Sequence, residues 1–410
     1  MAIRIGIVGG GAAGMAAAIW AARNGAEVEL FEGNDRVGKK ILSTGNGKCN
    51  LGNVELGPEK YFSSQPERLE QFLGKFNADD TIAFFHSLGL LIKQKNGGLY
   101  PVSEQAASVL DVLRYAIERE PAIQIRTQCR IDRIERQTKR NKLLLFSGRE
   151  QFPFDRVILA CGGKAAPKTG SDGGGYLLAK QLGHEIVPTV PALVQMKCRE
   201  DWFKSVAGVR TDAEISFEDG KESVAERGEL QLVDYGISGI PVFQLSRRMN
   251  YILQGRKELA VKIDFLPDYP GEHFADKLFR ERRALMKNAT VEAYFTGLLN
   301  KKLMLLFIRM AGLKPTETAE RADRERLKKV YELCRNLQVH VTGSNSFDNA
   351  QVTAGGVPFK EVTERLESVK AQGVFFAGEI LDVDGRCGGY NLHWAWCSAY
   401  LAGTGAADGN

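Results

Sequence analysis

Ile3-Arg-Ile-Gly-Ile-Val8 followed by Gly9-Gly10-Gly11-Ala12-Ala13-Gly14 decides the fold, with Met15 to Glu32 completing the unit. Ile3 to Val8 is short, mostly apolar and β-branched, which predicts a buried parallel strand. Gly9, Gly11 and Gly14 match G-x-G-x-x-G. Met15 to Arg23 is rich in alanine and free of breakers, so a helix is expected, ended by Gly25. Glu27 to Phe31 then reads as a second strand that finishes on an acid, Glu32. Gly9 permits the tight turn, Gly11 lets the backbone reach a pyrophosphate, and Gly14 lets helix and strand pack closely. The helix N-terminus, with Ala12 and Ala13 leading into it, offers free N–H groups and the positive end of a dipole. Glu32, 18 residues after Gly14, stands where a carboxylate accepts hydrogen bonds from ribose hydroxyls. An acid there favours a free 2′-hydroxyl over a 2′-phosphate, because like charges repel. The expected ligand is an adenine dinucleotide, FAD or NAD.

Working outward, 410 residues exceed one ordinary core, so two or three domains are expected. A hydrophobic content of 44% and a charged content of 26% belong to a soluble globular protein. The net charge of +5 is small for this length, and the basic residues read as scattered, which argues against a nucleic-acid partner. Ile5 to Ala22 carries no charge, yet its glycines and strand–turn–helix pattern argue against a signal or membrane segment. Seven cysteines without C-x-x-C point away from a disulfide framework and toward a reducing cytoplasm. No metal-ligand spacing stands out, and none of the five histidines forms H-x-x-x-H.

After Glu32, Gly33 to Lys40 nearly matches a Walker A loop but lacks the hydroxyl at Lys40 that would hold Mg²⁺. It reads instead as a basic loop running back over the dinucleotide, with Lys39 or Lys40 available to a phosphate. Ser43-Thr44-Gly45-Asn46-Gly47-Lys48-Cys49-Asn50 is dense in glycine and small polar groups, which lets backbone approach a flat ligand. Helices are expected over Pro66–Phe76, Ala78–Leu88 and Ala106–Glu118, with strand-like runs after them, one of which begins at Ile131. Asp155 to Leu159 continues into Ala160-Cys161-Gly162-Gly163, a strand that stops on two glycines and again suggests backbone near the dinucleotide. A small buried thiol is the expectation for Cys161. Ser171 or Asp172 is the expected N-cap of a helix running to Leu182. Beyond Pro188 and Pro191 the pattern turns to short β-like runs and Gly/Asp turns, predicting an antiparallel sheet or small barrel, and residues 272–335 are charged and helical.

The far end separates FAD from NAD. Gly373 to Glu379 reads as a strand ending in Gly378-Glu379, and Asp382 to Leu392 leads into a helix from His393. FAD is longer than its ADP half: its ribityl hydroxyls need an acceptor, which Glu379 supplies. Its N1–C2=O edge gathers negative charge on reduction, which a glycine-opened helix N-terminus at Gly389-Tyr390-Asn391-Leu392 stabilises. Neither insert carries a second G-x-G-x-x-G between strand and helix, so a nicotinamide reductant would visit only transiently. The fold class expected is α/β: a discontinuous Rossmann-type FAD-binding domain (1–190 and 345–410), an inserted β-rich, barrel-like domain (191–271 and 336–344) and a helical domain (272–335).

With Val8–Gly14, Ser43–Asn53, Leu99–Ser108, Thr169–Gly183, Asp234–Gly239 and Phe376–Gly403 in hand, above all Gly378 to Leu392, the chain resembles a bacterial family of NAD(P)/FAD-dependent oxidoreductases. That family includes aminoacetone oxidase and a reductase proposed to act on dehydro-bile acids. The resemblance implies FAD contacts at Gly11, Ala12, Glu32, Lys40, Gly45, Gly378, Glu379 and Asn391. Asn46 replaces a glycine, and Cys387 a threonine, of many relatives. Tyr390, His393 and Asn46 are the candidates for chemistry at the ring. The function expected is hydride transfer between bound FAD and a small organic substrate, with NAD(P)H as a transient reductant. An amine oxidase using O₂ and a non-catalytic flavin-binding regulator are the alternatives, and the weak charge asymmetry argues against an RNA-modifying flavoenzyme. Nothing in the sequence fixes the oligomeric state.

Overall fold

The computed structural model describes residues 2–137, 142–220, 222–269, 273–286 and 288–408. The chain divides into two compact units, Met1–Pro191 with Phe347–Asn410, and Ala192–Ser346. The boundary expected at 271–272 lies outside the described residues.

The first unit is built on a five-stranded parallel sheet. Its strands are β1 (Arg4–Val8), β2 (Glu27–Phe31), β3 (Ile123–Arg126), β4 (Arg156–Leu159) and β5 (Val374–Phe376), in the order β5-β4-β1-β2-β3. Ile5 lies opposite Arg156 on one side and Val28 on the other. Four of the five residues of β1 and of β2 are buried, as strands covered on both faces require, and the one buried acid among them, Glu29, pairs with Arg126. One face receives the antiparallel meander 133–137, 142–147 and 150–154. Gly6 permits that approach: a Cβ there would lie 2.6 Å from the Phe154 ring. Helix α1 (Ala12–Arg23) packs against the C-terminal helix α2 (Tyr390–Ala407). The alanines of α1 make the contact close, and a Cβ on Gly403 of α2 would come 2.8 Å from the Ala17 carbonyl oxygen. The sheet and this helix pair therefore bring residues near the start of the sequence beside residues near 400.

The helices expected between 66 and 118 form, though the first is short, Leu69–Leu73, after a 3₁₀ turn at Pro66–Arg68. The second unit contains a closed six-stranded barrel of Met196–Cys198, Arg210–Asp219, Glu222–Val233, Gly236–Gly239, Leu259–Asp264 and Leu337–Ser344, antiparallel throughout. Alternation sets its inside: Ala213, Ile215 and Phe217 are buried between half-exposed or exposed neighbours. A helix that the β-like pattern did not suggest, Ile240–Leu253, follows the fourth strand, opening on Pro241 and burying Val242, Leu245 and Met249. Four further helices, Phe274–Leu285, Val291–Phe295, Lys301–Met310 and Arg324–Arg335, belong to the same unit. Among the described residues no helix is long and apolar enough to cross a membrane.

Candidate functional site

The turn after β1 organises a cleft in the first unit. Gly9 takes φ +106°, a backbone region that disfavours side chains, and its N–H donates to the Phe31 carbonyl oxygen at 2.8 Å. A Cβ on Gly14 would overlap the Gly9 carbonyl oxygen, whereas one on Gly11 would meet nothing within 4 Å. Gly14 is thus fixed by packing, and Gly11 opens onto free space. No side chain caps α1, so the N–H groups of its first turn have no intrahelical acceptor. Glu32 is tightly held. Its Oε2 accepts from Gly10 N at 3.0 Å, and its Oε1 from Asn34 N and Nδ2 at 2.8 and 2.7 Å.

The cleft runs from this turn toward α2. Gly9, Gly11, Ala12, Ala13, Glu32 and Gly33 line one end. Lys39, Lys40 and Thr44 also line the cleft, as do Ile131, Ala160, Cys161 and Gly162. Gly378, Glu379, Asn391 and Leu392 line the far end. Lys40 Nζ and Glu379 Oε2 pair at 2.8 Å, and Thr353 N donates to Glu379 Oε1 at 2.7 Å. Lys39 pairs with Asp35 at 2.6 Å. The Asn391 side chain accepts from Gly385 N and donates to Gly385 O, each at 2.8 Å, which fixes the loop before α2. Cys161 donates to the Val8 carbonyl oxygen at 3.3 Å, and burial pushes its thiol up to about 12, so it stays protonated at neutral pH.

Eight sequence candidates are not among the cleft-lining residues: Gly14, Ser43, Gly45, Asn46, Asn50, Gly389, Tyr390 and His393. Ser43 donates to Lys40 O at 2.8 Å. Gly45 and the exposed Asn46 form a left-handed pair inside the 3₁₀ segment Lys39–Gly47. Gly389 caps α2 with φ +95°, where a Cβ would sit 2.5 Å from Asn50 Oδ1. Tyr390 is buried with its ring edge-on to Tyr61 at 5.7 Å, and burial raises its phenol. His393 is fully buried: Nε2 donates to the Phe76 carbonyl oxygen at 3.1 Å, leaving Nδ1 to face Thr81 Oγ1 at 3.1 Å. Desolvation lowers its pKa to about 4, so the ring is neutral at pH 7.

Sequence reasoning passed over Asn34, Arg130, Trp394 and Ala395, which line the cleft. Trp394 and Ala395 lie three and four residues after Asn391, on the same helix face, and that spacing was available as a signal. Arg130 pairs with Asp172 at 2.6 Å across 42 residues, and no local pattern announces it. The N-cap expected at Ser171 or Asp172 is instead Gly173, in left-handed conformation, with Asp172 Oδ1 accepting from Gly174 N at 2.9 Å. Among the described residues no three His, Cys, Asp or Glu side chains are grouped to hold a metal ion.

A helix N-terminus beside a glycine that leaves room, an anchored carboxylate, two lysines and a second carboxylate–helix pair at the far end match the chemistry of a flavin dinucleotide. The model for the HI0933-like protein Rossmann domain matches residues 3–405. The chain belongs to the HI0933-like family. Its fold is the FAD-binding Rossmann type, and the family and its relatives make it a flavin-dependent oxidoreductase. This HI0933-like chain is 42% identical to a 3-dehydro-bile acid delta(4,6)-reductase of Clostridium scindens, over 99% of both chains. It is 29% identical to a ribosomal RNA dihydrouridine synthase of Haemophilus influenzae, over 96% of both. The crystal structure of 3-ketosteroid delta1-dehydrogenase from Sterolibacterium denitrificans shares the fold with a TM-score of 0.50 at 12% identity, over 98% of this chain and 99% of that one. With an RNA-modifying relative matched end to end, the exclusion of nucleic acid drawn from net charge no longer holds.

Proposed function

We propose that this enzyme is an FAD-dependent reductase that saturates a carbon–carbon double bond conjugated to a carbonyl. The match at 42% identity to a reductase of that kind carries the reading. The second group of relatives supports the same bond change, since making dihydrouridine saturates the C5=C6 bond of a uracil ring, conjugated to its C4 carbonyl. Bound flavin supplies the hydride chemistry. In this reading the N–H groups of Ala12 and Ala13, with Lys39 and Lys40, hold the pyrophosphate, and Glu32 takes the adenosine ribose. Glu379 takes the ribityl hydroxyls, and Asn391 and Leu392 set the N-terminus of α2 against the ring. Tyr390, kept protonated by burial, is the remaining proton-donor candidate. His393 is assigned to positioning, since Phe76 and Thr81 enclose it. NAD(P)H is the proposed transient reductant, and seven free cysteines support a cytoplasmic setting.

The test is anaerobic. NAD(P)H should bleach the flavin absorbance of the purified protein, and a 3-oxo-Δ4 steroid or a uridine-containing RNA should restore it. Bleaching by aminoacetone with recovery only on admitting O₂ would replace this reading with the amine oxidase. Tyr390→Phe should keep the flavin spectrum and slow the recovery step alone.

A further inference from the structure

We propose that the helices between residues 272 and 335 form a docking surface for RNA. The charge of the chain is segregated. These 64 residues hold fifteen Lys and Arg against nine Asp and Glu, a net charge of +6. The other 346 residues hold 40 against 41, a net charge of −1. The whole excess of positive charge therefore sits in one stretch, and the scattered appearance comes from averaging over the chain.

The fold gathers that stretch. Helix Arg324–Arg335 packs against both Phe274–Leu285 and Lys301–Met310. Lys328 Nζ reaches Asp276 Oδ1 of the first at 3.0 Å, and Arg326 donates to the carbonyl oxygen of Gly312, just past the second, at 2.9 Å. Leu327, Val330, Tyr331 and Cys334 turn inward, as do Leu303, Met304, Phe307 and Ile308. What remains outside is charged. The ion pairs of the described residues here use Lys301, Lys328 and Arg335. Lys277 and Arg280 on the first helix, Arg309 and Lys314 by the second, and Arg321, Arg324 and Lys329 by the third are exposed and make no ion pair with any described residue. Among the described residues, four exposed carboxylates of this stretch without a cationic partner, Glu281, Glu320, Asp323 and Glu332, stand against these seven.

Uncompensated cations repel one another and contribute nothing to the core, so their gathering is explained by an anionic partner. Phosphates satisfy it, with counterion release as the driving force and arginine forks as the contacts. A membrane surface would also need an apolar face, and of the large apolar side chains only Leu285 and Met310 are exposed among the described residues of this stretch. The choice of RNA rests on the reductase reading: uracil is a conjugated ring that RNA carries, so a polyanion-binding surface and a conjugated-bond reductase meet in one substrate.

The experiment measures fluorescence anisotropy of a labelled, uridine-containing RNA hairpin with the intact flavin-loaded enzyme across a salt series. Saturable, salt-sensitive binding is expected. Combined Arg321→Glu, Arg324→Glu and Lys329→Glu should weaken it at least about tenfold and lower the salt slope by about three. Combined Lys95→Glu, Arg119→Glu and Arg149→Glu, an equal charge change on exposed residues of the first unit, should leave affinity unchanged. Equal losses in both variants, no binding at low salt, or tighter binding to phosphatidylserine vesicles than to the hairpin would each overturn the proposal. Both variants should keep the flavin spectrum and the reduction of a small steroid enone. Enone reduction without RNA binding sinks the docking surface alone, and RNA binding without any conjugated-bond reduction sinks the reductase reading alone.

Discussion

The two ends of the cleft are both rich in glycine, yet they are held by different means. At the amino end, backbone presses on backbone: a side chain on Gly14 has no place because the Gly9 carbonyl oxygen occupies it. At the carboxyl end, side chains reach back to backbone. Asn391 clamps Gly385 from both sides, Ser398 Oγ accepts from Gly378 N at 2.8 Å, and Trp394 Nε1 donates to Gly378 O at 3.2 Å. The ends meet where a Cβ on Gly378 would lie 2.8 Å from the Cβ of Ala13. Steric exclusion makes the first end all-or-none, while hydrogen bonding makes the second adjustable in steps.

The largest effect should come from Gly14→Ala. Backbone has nowhere to yield, so about 3 kcal/mol or more of stability should be lost in urea unfolding, with the flavin colour. Gly11→Ala is the contrast: stability should stay within about 1 kcal/mol, while flavin content falls, since the new methyl enters the cleft and not the fold. Equal destabilisation by the two would break the comparison.

Next comes pH, at the carboxyl end. His393 is neutral when folded, with a pKa near 4, and takes up a proton near 6.5 when unfolded. The unfolded state therefore binds more protons between those values, so stability is full above about pH 6.5 and declines toward pH 4. The decline should reach about 3 kcal/mol, and His393→Gln should flatten it in unfolding curves measured from pH 7 to 4.

Asn391→Ala should cost about 2 kcal/mol, the value of two short neutral hydrogen bonds within a half-buried loop, and loosen flavin without abolishing it. Smallest is Lys40→Met. The pair with Glu379 is part-exposed, so about 1 kcal/mol or less of stability is at stake, read as a small shift of the urea midpoint.

The same contrast explains what the residues disclosed before the fold was known. Strand β1, the glycine turn, α1 and Glu32 follow from local sterics, which repeat wherever the pattern recurs. Strand β5 and the Gly378–Glu379 turn are legible for the same reason. The Arg130–Asp172 pair and the buried set of His184 with Glu361 and Ser368 at 2.7 Å each are not, because their partners stand 42 to 184 residues apart. The N-cap at Gly173 was misplaced because Asp172, a good capping residue, spends its oxygen one step further on, at Gly174 N. The helix Ile240–Leu253 was within reach: Pro241 and the apolar 242, 245 and 249 announce it, but the surrounding β-like runs masked it.

The pairing of β5 beside β4, and of α2 on α1, has a consequence for biosynthesis. A ribosome emits the glycine turn well before the residues of α2 that line the cleft, so the nascent chain carries a half-made cleft until α2 emerges. If the site residues act as proposed, flavin should be acquired only after residues beyond 390 have left the exit tunnel, and products terminated before them should be pale.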